Sequence, residues 1–191
     1  MSGLSDGAAS ATNASAVSSE GVKPTYRYAA LGFATVATPT DVLVIQGSAT
    51  KTIRIKRVVL NGVATAAANM PVQIIRRSTA GTLGSAVLTA LTAAKHDIND
   101  VAPTAVLSTV GTANYTTLGT TAGTIGAGRL QLSAAATGLS VTPLLWEFAT
   151  RNDKALILRG TSDFICLNLN AGAVPLGAVV DIEVQTEEDN S

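Results

Sequence analysis

Val179-Val180-Asp181-Ile182-Glu183-Val184-Gln185-Thr186 alternates apolar with polar residues, one step at a time. Side chains of an extended chain point to opposite faces at each step, so Val180, Ile182 and Val184 share one face and Asp181, Glu183 and Gln185 the other. Such a segment is a half-buried strand with one wet side. Leu130 and Leu132 against Arg129 and Gln131 read the same way. So do Ile53 and Ile55 against Arg54 and Lys56, until the phase slips at Arg57, which predicts a bulge.

Working outward, short strand-like runs recur between Gly, Thr, Pro and Asn. They fall near Tyr26–Phe33, Asp41–Gln46, Thr52–Leu60, Val72–Arg77, Ala105–Val110, Arg129–Leu132, Leu144–Phe148, Ala155–Arg159, Phe164–Leu169 and Val179–Thr186. No helical period separates them, which argues for an all-β, antiparallel β-sandwich or jelly-roll-like domain rather than βαβ units. One short helix is expected at Ser85–Lys95, capped by Ser85. Gly111–Gly128, rich in Gly and Thr, reads as a long loop or extended hairpin. Three divisions follow: an extended low-complexity N-terminal arm (1–24), the sandwich (25–187) and an acidic C-terminal tail (188–191). The arm is nearly all Ser, Ala, Gly and Asn, too poor in apolar surface to offset its own ordering entropy when alone.

Composition narrows the function. The 191 residues carry 13 basic and 13 acidic side chains, a formal net charge of zero, which gives no general attraction to nucleic acid or an anionic membrane. Hydrophobic residues reach 47% with only 4% aromatic, so the apolar content is aliphatic and suits strands. Mean hydropathy is +0.34, yet no apolar run approaches the ~18 residues of a membrane span. Met1–Gly7 lacks the basic-then-apolar pattern of a secretory leader, and the lone Cys166 can form no internal disulfide, so synthesis in a reducing cytoplasm is expected. Val42–Ile45 and Leu156–Leu158 are apolar on both faces, and Phe164 and Cys166 oppose the row Ile165, Leu167 and Leu169. These strands require a further covering layer, either the chain's own loops or another subunit.

Catalytic patterns are hard to assemble from these residues. His96 is the only histidine; with Asp97 it would need partner histidines to hold a metal, and it reads as a turn residue. It is also the only candidate base for a nucleophilic triad, and no Gly-x-Ser-x-Gly turn is present. Cys166 lies in an apolar strand and reads as a small buried hydrophobe. Glu147 and Glu183 could meet across a sheet, but Trp146 shares a row with Leu144 and Phe148 and reads as core rather than as a sugar platform. Gly123, Gly126 and Gly128 lack the Lys and Ser/Thr of a phosphate loop. No catalytic, cofactor-binding or metal-ligating residue is therefore expected. Charge is segregated along the chain: Lys51, Arg54, Lys56, Arg57, Arg76 and Arg77 lie in one stretch, and Asp181, Glu183, Glu187, Glu188 and Asp189 in another. Such blocks can set register between subunits, form a basic face, or simply be solvated.

Three stretches carry a resemblance: Pro39-Thr40-Asp41-Val42 through Gly47-Ser48-Ala49-Thr50-Lys51-Thr52-Ile53-Arg54-Ile55; Ile74-Ile75-Arg76-Arg77-Ser78-Thr79-Ala80; and Leu158-Arg159-Gly160-Thr161-Ser162 leading into Leu167-Asn168-Leu169-Asn170. With Lys95-His96-Asp97 running on to Ala105-Val106-Leu107, they resemble small β-proteins of tailed-bacteriophage virions, most of all capsid decoration (cement) proteins. The resemblance spans most of Tyr26–Glu187. It implies a jelly-roll-like fold, a homotrimer or other homo-oligomer, the major capsid protein as partner, the capsid exterior as location, and an arm that clamps neighbours. Val22, Lys23, Pro24, Tyr26, Arg76, Arg77 and Phe164 are the expected contact residues, with no nucleic acid, membrane or small-molecule substrate. The alternative is a tail- or head-associated host-recognition module that binds glycans.

Overall fold

The computed structural model describes residues 23–35, 41–111, 113–137, 142–150, 153–169 and 173–190. These residues form twelve strands and no helix. β1 (Thr25–Ala34), β2 (Asp41–Gln46), β3 (Lys51–Ala64) and β4 (Ala68–Arg77) come first; β5 (Val87–Ala90), β6 (Ala93–Lys95) and β7 (Val106–Gly111) follow. β8 (Thr121–Ala134), β9 (Leu144–Glu147), β10 (Leu156–Leu158), β11 (Phe164–Asn168) and β12 (Val179–Asn190) complete the chain.

The pairings are nested. The first strand pairs with the last, β1 with β12; then β2 with β11, β3 with β9 and β10, and β4 with β8, all antiparallel. β1 to β4 alternate between two sheets. One runs β1-β12-β3 with β9 and β10 on the far side of β3; the other runs β2-β11-β4-β8. A long hairpin folded over on itself in this way is a jelly roll. A two-residue parallel pairing, Val63 and Ala64 of β3 with Ser133 and Ala134 of β8, joins the sheets at one corner.

The core lies between the sheets. Ile53, Ile55, Val180, Ile182 and Val184 come from one of them, and Leu43, Ile45, Ile74, Leu130, Ile165 and Leu167 from the other, all buried in a single cluster. The slip at Arg57 is real: Gln185 faces Arg57 but Thr186 faces Ile55, so Lys56 is the extra residue of a bulge.

Two expectations fail. Ser85–Lys95 is not helical; Val87–Ala90 and Ala93–Lys95 are strands β5 and β6, because each finds an unpaired sheet edge, β5 on β7 and β6 on β1. The Gly111–Gly128 stretch is not all loop, since β8 starts at Thr121 and pairs along the whole of β4. Its glycines face the core at Gly126 and Gly128, where a Cβ would lie 2.9 Å from Trp146 Nε1 and 2.9 Å from Leu144 Cδ1. The missing side chains leave room for the β9 row, and Leu144, Trp146 and Phe148 pack on the core while Leu145 faces out.

The covering layer over β2 and β11 comes from the chain itself. The connection between β4 and β8 returns across the outer face of that sheet, fastened by Thr82 N–H to Thr117 O (2.8 Å), Thr116 N–H to Thr82 O (2.9 Å) and Ser78 N–H to Thr120 O (3.0 Å). The same connection closes the open side between β1 and β2. Tyr26 and Tyr28 donate their hydroxyls to Val101 O and Ala105 O, and the buried Glu188 carboxylate accepts from the N–H groups of Thr104 and Ala105 and the Thr104 hydroxyl. β12 thus continues through Asn190, and Glu188 and Asp189 are strand residues.

Candidate functional site

The most developed site is a cavity of about 240 Å³ between the outer face of β2 and β11 and the returning connection. Its floor begins with a bulge: Leu167 faces Leu43 but Asn168 faces Asp41, so Val42 is an inserted residue. The insertion keeps Val42 in the core and lets Asp41, 2% exposed, turn to the other face. Arg77, at the end of β4, reaches Asp41 in a two-pronged pair, Nε to Oδ2 at 2.6 Å and Nη2 to Oδ1 at 2.7 Å. Its remaining Nη1 donates to Gly119 O (2.8 Å) and Thr121 Oγ1 (2.9 Å), and Asn168 Nδ2 donates to Asp41 Oδ1 at 2.8 Å. A buried ion pair is tolerable only with its spare donors and acceptors matched in this way.

Apolar walls surround this pair. Val44, Phe164 and Cys166 rise from the sheet, Leu83 and Tyr115 come from the connection, and Leu88 and Val106 stand at the sheet edge. Burial, then the Asp41 charge, pushes the Cys166 thiol well up, so it stays protonated. Burial chiefly raises the Tyr115 phenol to about 12, with Cys166 and Asp41 adding to the shift and Arg77 opposing it. Burial of Arg77 works against its charge, but the Asp41 hydrogen bonds and charge outweigh it and hold the guanidinium above its ordinary value. The Cys166 thiol and the Tyr115 phenol are therefore both protonated at neutral pH. The cavity has room for an apolar group above a floor in which the Asp41–Arg77 pair is hydrogen-bonded within the chain.

A scan against protein-family models found no match, and searches of the curated proteins and of the solved structures found none either.

The expected contact residues are dispersed and engaged within the chain. Arg77 and Phe164 line the cavity. Arg76 reaches from β4 to the Ile157 carbonyl of the opposite sheet and to Asp163 (3.5 Å), tying the two sheets at one end. Tyr26 is fully buried. Lys23 pairs with Asp189 (3.5 Å), and Pro24 O accepts from Glu188 N–H. Val22, with the rest of the arm before it, lies outside the described residues.

The segregated charges meet across the β3–β12 ladder: Lys51 with Glu188 (3.4 Å), Arg54 with Asp189 (2.6 Å) and Lys56 with Glu187 (3.3 Å). Arg57 pairs with Glu147 (4.0 Å) and Arg27 with Glu183 (3.1 Å), so the two glutamates weighed as a carboxylate pair flank β3 and each faces an arginine. His96 is exposed, its N–H donating to Thr25 O, and Asp97 Oδ1 accepts from Asn99 N–H in a turn. Among the described residues no group of three or more His, Cys, Asp or Glu side chains is placed to hold a metal, and no helix is long and apolar enough to cross a membrane.

Asp41, Tyr115 and Glu188 were not singled out as a set by the sequence. One signal existed for Asp41: it is the only acid between Gly21 and His96, amid nine basic residues. Nothing local marks Tyr115, which the β4–β8 connection carries over the sheet, or Glu188, whose N–H donors that connection brings.

Proposed function

We propose that this chain is a non-catalytic structural protein of a virus particle, a decoration (cement) protein that binds the outer surface of a tailed-phage capsid and stabilises it through its N-terminal arm and contacts between copies. The observation that carries this reading is apolar surface left outside a completed core. Leu31, Ile98 and Leu176 are each more than 80% exposed although the sandwich interior is closed. Leu31 and Leu176 stand beside Gly32 and Gly177, both at positive φ, one at the irregularity in β1 and the other on the turn that leads into β12. Leucines held into solvent at tight backbone bends add little to the isolated fold and are available for contact with a larger surface. Cementing a shell requires many such weak contacts, repeated at each symmetry-related position, and no reaction. The jelly roll is shared by shell proteins and by lectins, so the fold by itself does not choose between them.

The test is attachment to assembled phage heads lacking this protein, followed by co-sedimentation and by survival of the heads on heating or osmotic shock. Added protein should co-sediment and protect. Deleting residues 1–22, which leaves the Lys23–Asp189 and Pro24–Glu188 contacts in place, should weaken attachment without lowering the melting temperature. Equal attachment of the shortened chain would remove the arm from the proposal, and failure of the full chain to bind any head would remove the proposal itself.

A host-recognition reading is favoured by one feature, the cavity walled by Tyr115 and Phe164. Retained binding of the purified protein on a glycan array, lost in Tyr115→Ala, would support it.

A further inference from the structure

Among the described residues, the outer edge of β5 is left unpaired. β5 is the terminal strand of the β2-β11-β4-β8 sheet, beyond β7, and pairs on that side only. Its inner ladder determines which backbone groups face outward. Leu91 N–H donates to Leu107 O, so in the register that sets Ala90 opposite Ser108, the hydrogen-bonded pairs are Leu91–Leu107, Thr89–Thr109 and Val87–Gly111. The N–H and C=O groups of Leu88 and Ala90 therefore point away from β7, two donors and two acceptors along a free edge.

Natural edges are blunted by lysine, proline, bulges or a covering segment, because an open ladder recruits further strands. Among the described residues none of these falls on β5, whose one safeguard is its four-residue length. Ser78–Ala94 contains no charged residue and no proline. All four residues of β5 are exposed, Val87 and Leu88 among them, and Val106 of β7 is exposed next to them. β6, which ends the facing sheet beside β1, terminates instead in Lys95, whose ammonium is held by Ile98 O and Asp100 O beside the edge.

We propose that β5 joins two copies of this chain about a two-fold axis through Thr89. Antiparallel pairing about that axis sets Leu88 opposite the partner's Ala90 and Ala90 opposite the partner's Leu88, and each such pair exchanges two backbone hydrogen bonds. All four outward groups of each edge are satisfied, and none is left over. A two-fold joint places every residue against its own kind, so it is stable only where no charge repels its copy. The charge-free stretch meets that condition; Leu88 packs beside the partner's Ala90 on one face of the joint, and Val87 beside the partner's Leu91 on the other. Leu88 and Val106 also line the cavity of Asp41 and Arg77, which makes joint and cavity one continuous apolar surface. This inference goes beyond the particle reading and is decided in solution without any capsid.

The full-length chain is the material for the test. A joint of this size belongs with weak interfaces, and a Kd on the order of 10–100 µM is expected in sedimentation equilibrium. Leu88→Lys and Ala90→Pro, the second removing one outward N–H, should each weaken association at least about tenfold while far-ultraviolet circular dichroism is unchanged. A direct geometric readout comes from Thr89→Cys. Facing residues of a non-hydrogen-bonded pair lie about 4.5 Å apart at Cα, within the span of a disulfide. This variant should oxidise rapidly to a covalent dimer, with Ala93→Cys on β6 as the slow control, and the buried Cys166 takes no part. A wild-type chain that is monomeric well above 100 µM would overturn the proposal. So would a dimer undiminished in both edge variants, or Thr89→Cys cross-linking no faster than the control.

Discussion

At the scale of single residues, Asp41 and Arg77 form the most demanding interaction in the molecule. Both side chains are almost completely buried, 3% and 4% exposed, so neither charge has water to fall back on. Replacing Asp41 by Asn leaves the guanidinium without its counter-charge, and a loss of about 3–5 kcal/mol in urea unfolding is expected. The paired replacement Asp41→Leu with Arg77→Met should recover most of that loss, because it removes both desolvation costs together. A double variant as unstable as the single one would show that the Gly119, Thr121 and Asn168 contacts, rather than the charge pair, hold this part of the sheet. Cys166 beside them is shielded by the same packing and should resist alkylation until the chain unfolds.

At the scale of elements, β8 shows how a strand can be built from residues that favour turns. Gly126 and Gly128 weaken it intrinsically, but pairing along β4 and the seating of Trp146 and Leu144 on the bare backbone compensate. Gly126→Val would drive a side chain into the indole, 2.9 Å from Nε1 at the first carbon alone. A destabilisation of about 1–3 kcal/mol is expected, accompanied by a shift in the emission of Trp146, the only tryptophan. Gly123→Ala, where a Cβ meets nothing within 4 Å, should leave both stability and emission close to wild type. Equal effects at the two positions would mean that β8 needs glycine for its backbone and not for the room it leaves.

At the scale of the whole molecule, the buried phenols and thiol couple stability to alkali. Tyr28 is raised well above its ordinary value, first by burial and then by the charge of Glu188; Tyr26 is raised by the same causes with Asp100 added. Above pH 10 the unfolded chain releases these protons while the native chain keeps them, so the unfolded state binds fewer protons and stability falls with rising pH. The thiol's contribution is fully present below about pH 9 and the phenols' below about pH 10, and both are lost as pH climbs, for Tyr115 toward about 12. Thermal melts should be flat in this respect up to about pH 9 and decline beyond it, in step with the tyrosinate absorbance. Tyrosines that all titrate at pH 10 with no loss of near-ultraviolet dichroism would contradict the buried placement of Tyr26 and Tyr28.

Much of this architecture was legible before any coordinates. Strand identity rests on local alternation, which is why Val180, Ile182 and Val184, the bulge near Arg57 and the inward row of Leu144, Trp146 and Phe148 could be read from their neighbours alone. Asp41–Gln46 coincides with β2. What lay beyond the sequence depends on partners distant in the chain. Ser85–Lys95 has a capping serine and no strong period, and only the free edges of β7 and β1 draw it into strands. The two charge blocks carry no sign of whether they meet each other or a neighbour until β3 and β12 lie side by side. The doubly apolar strands show that a cover is needed but not its source, and over β2 and β11 the fold supplies it from the β4–β8 connection. Local periodicity is a property of adjacent residues, whereas burial, pairing and charge satisfaction belong to whichever segments the nested topology brings together.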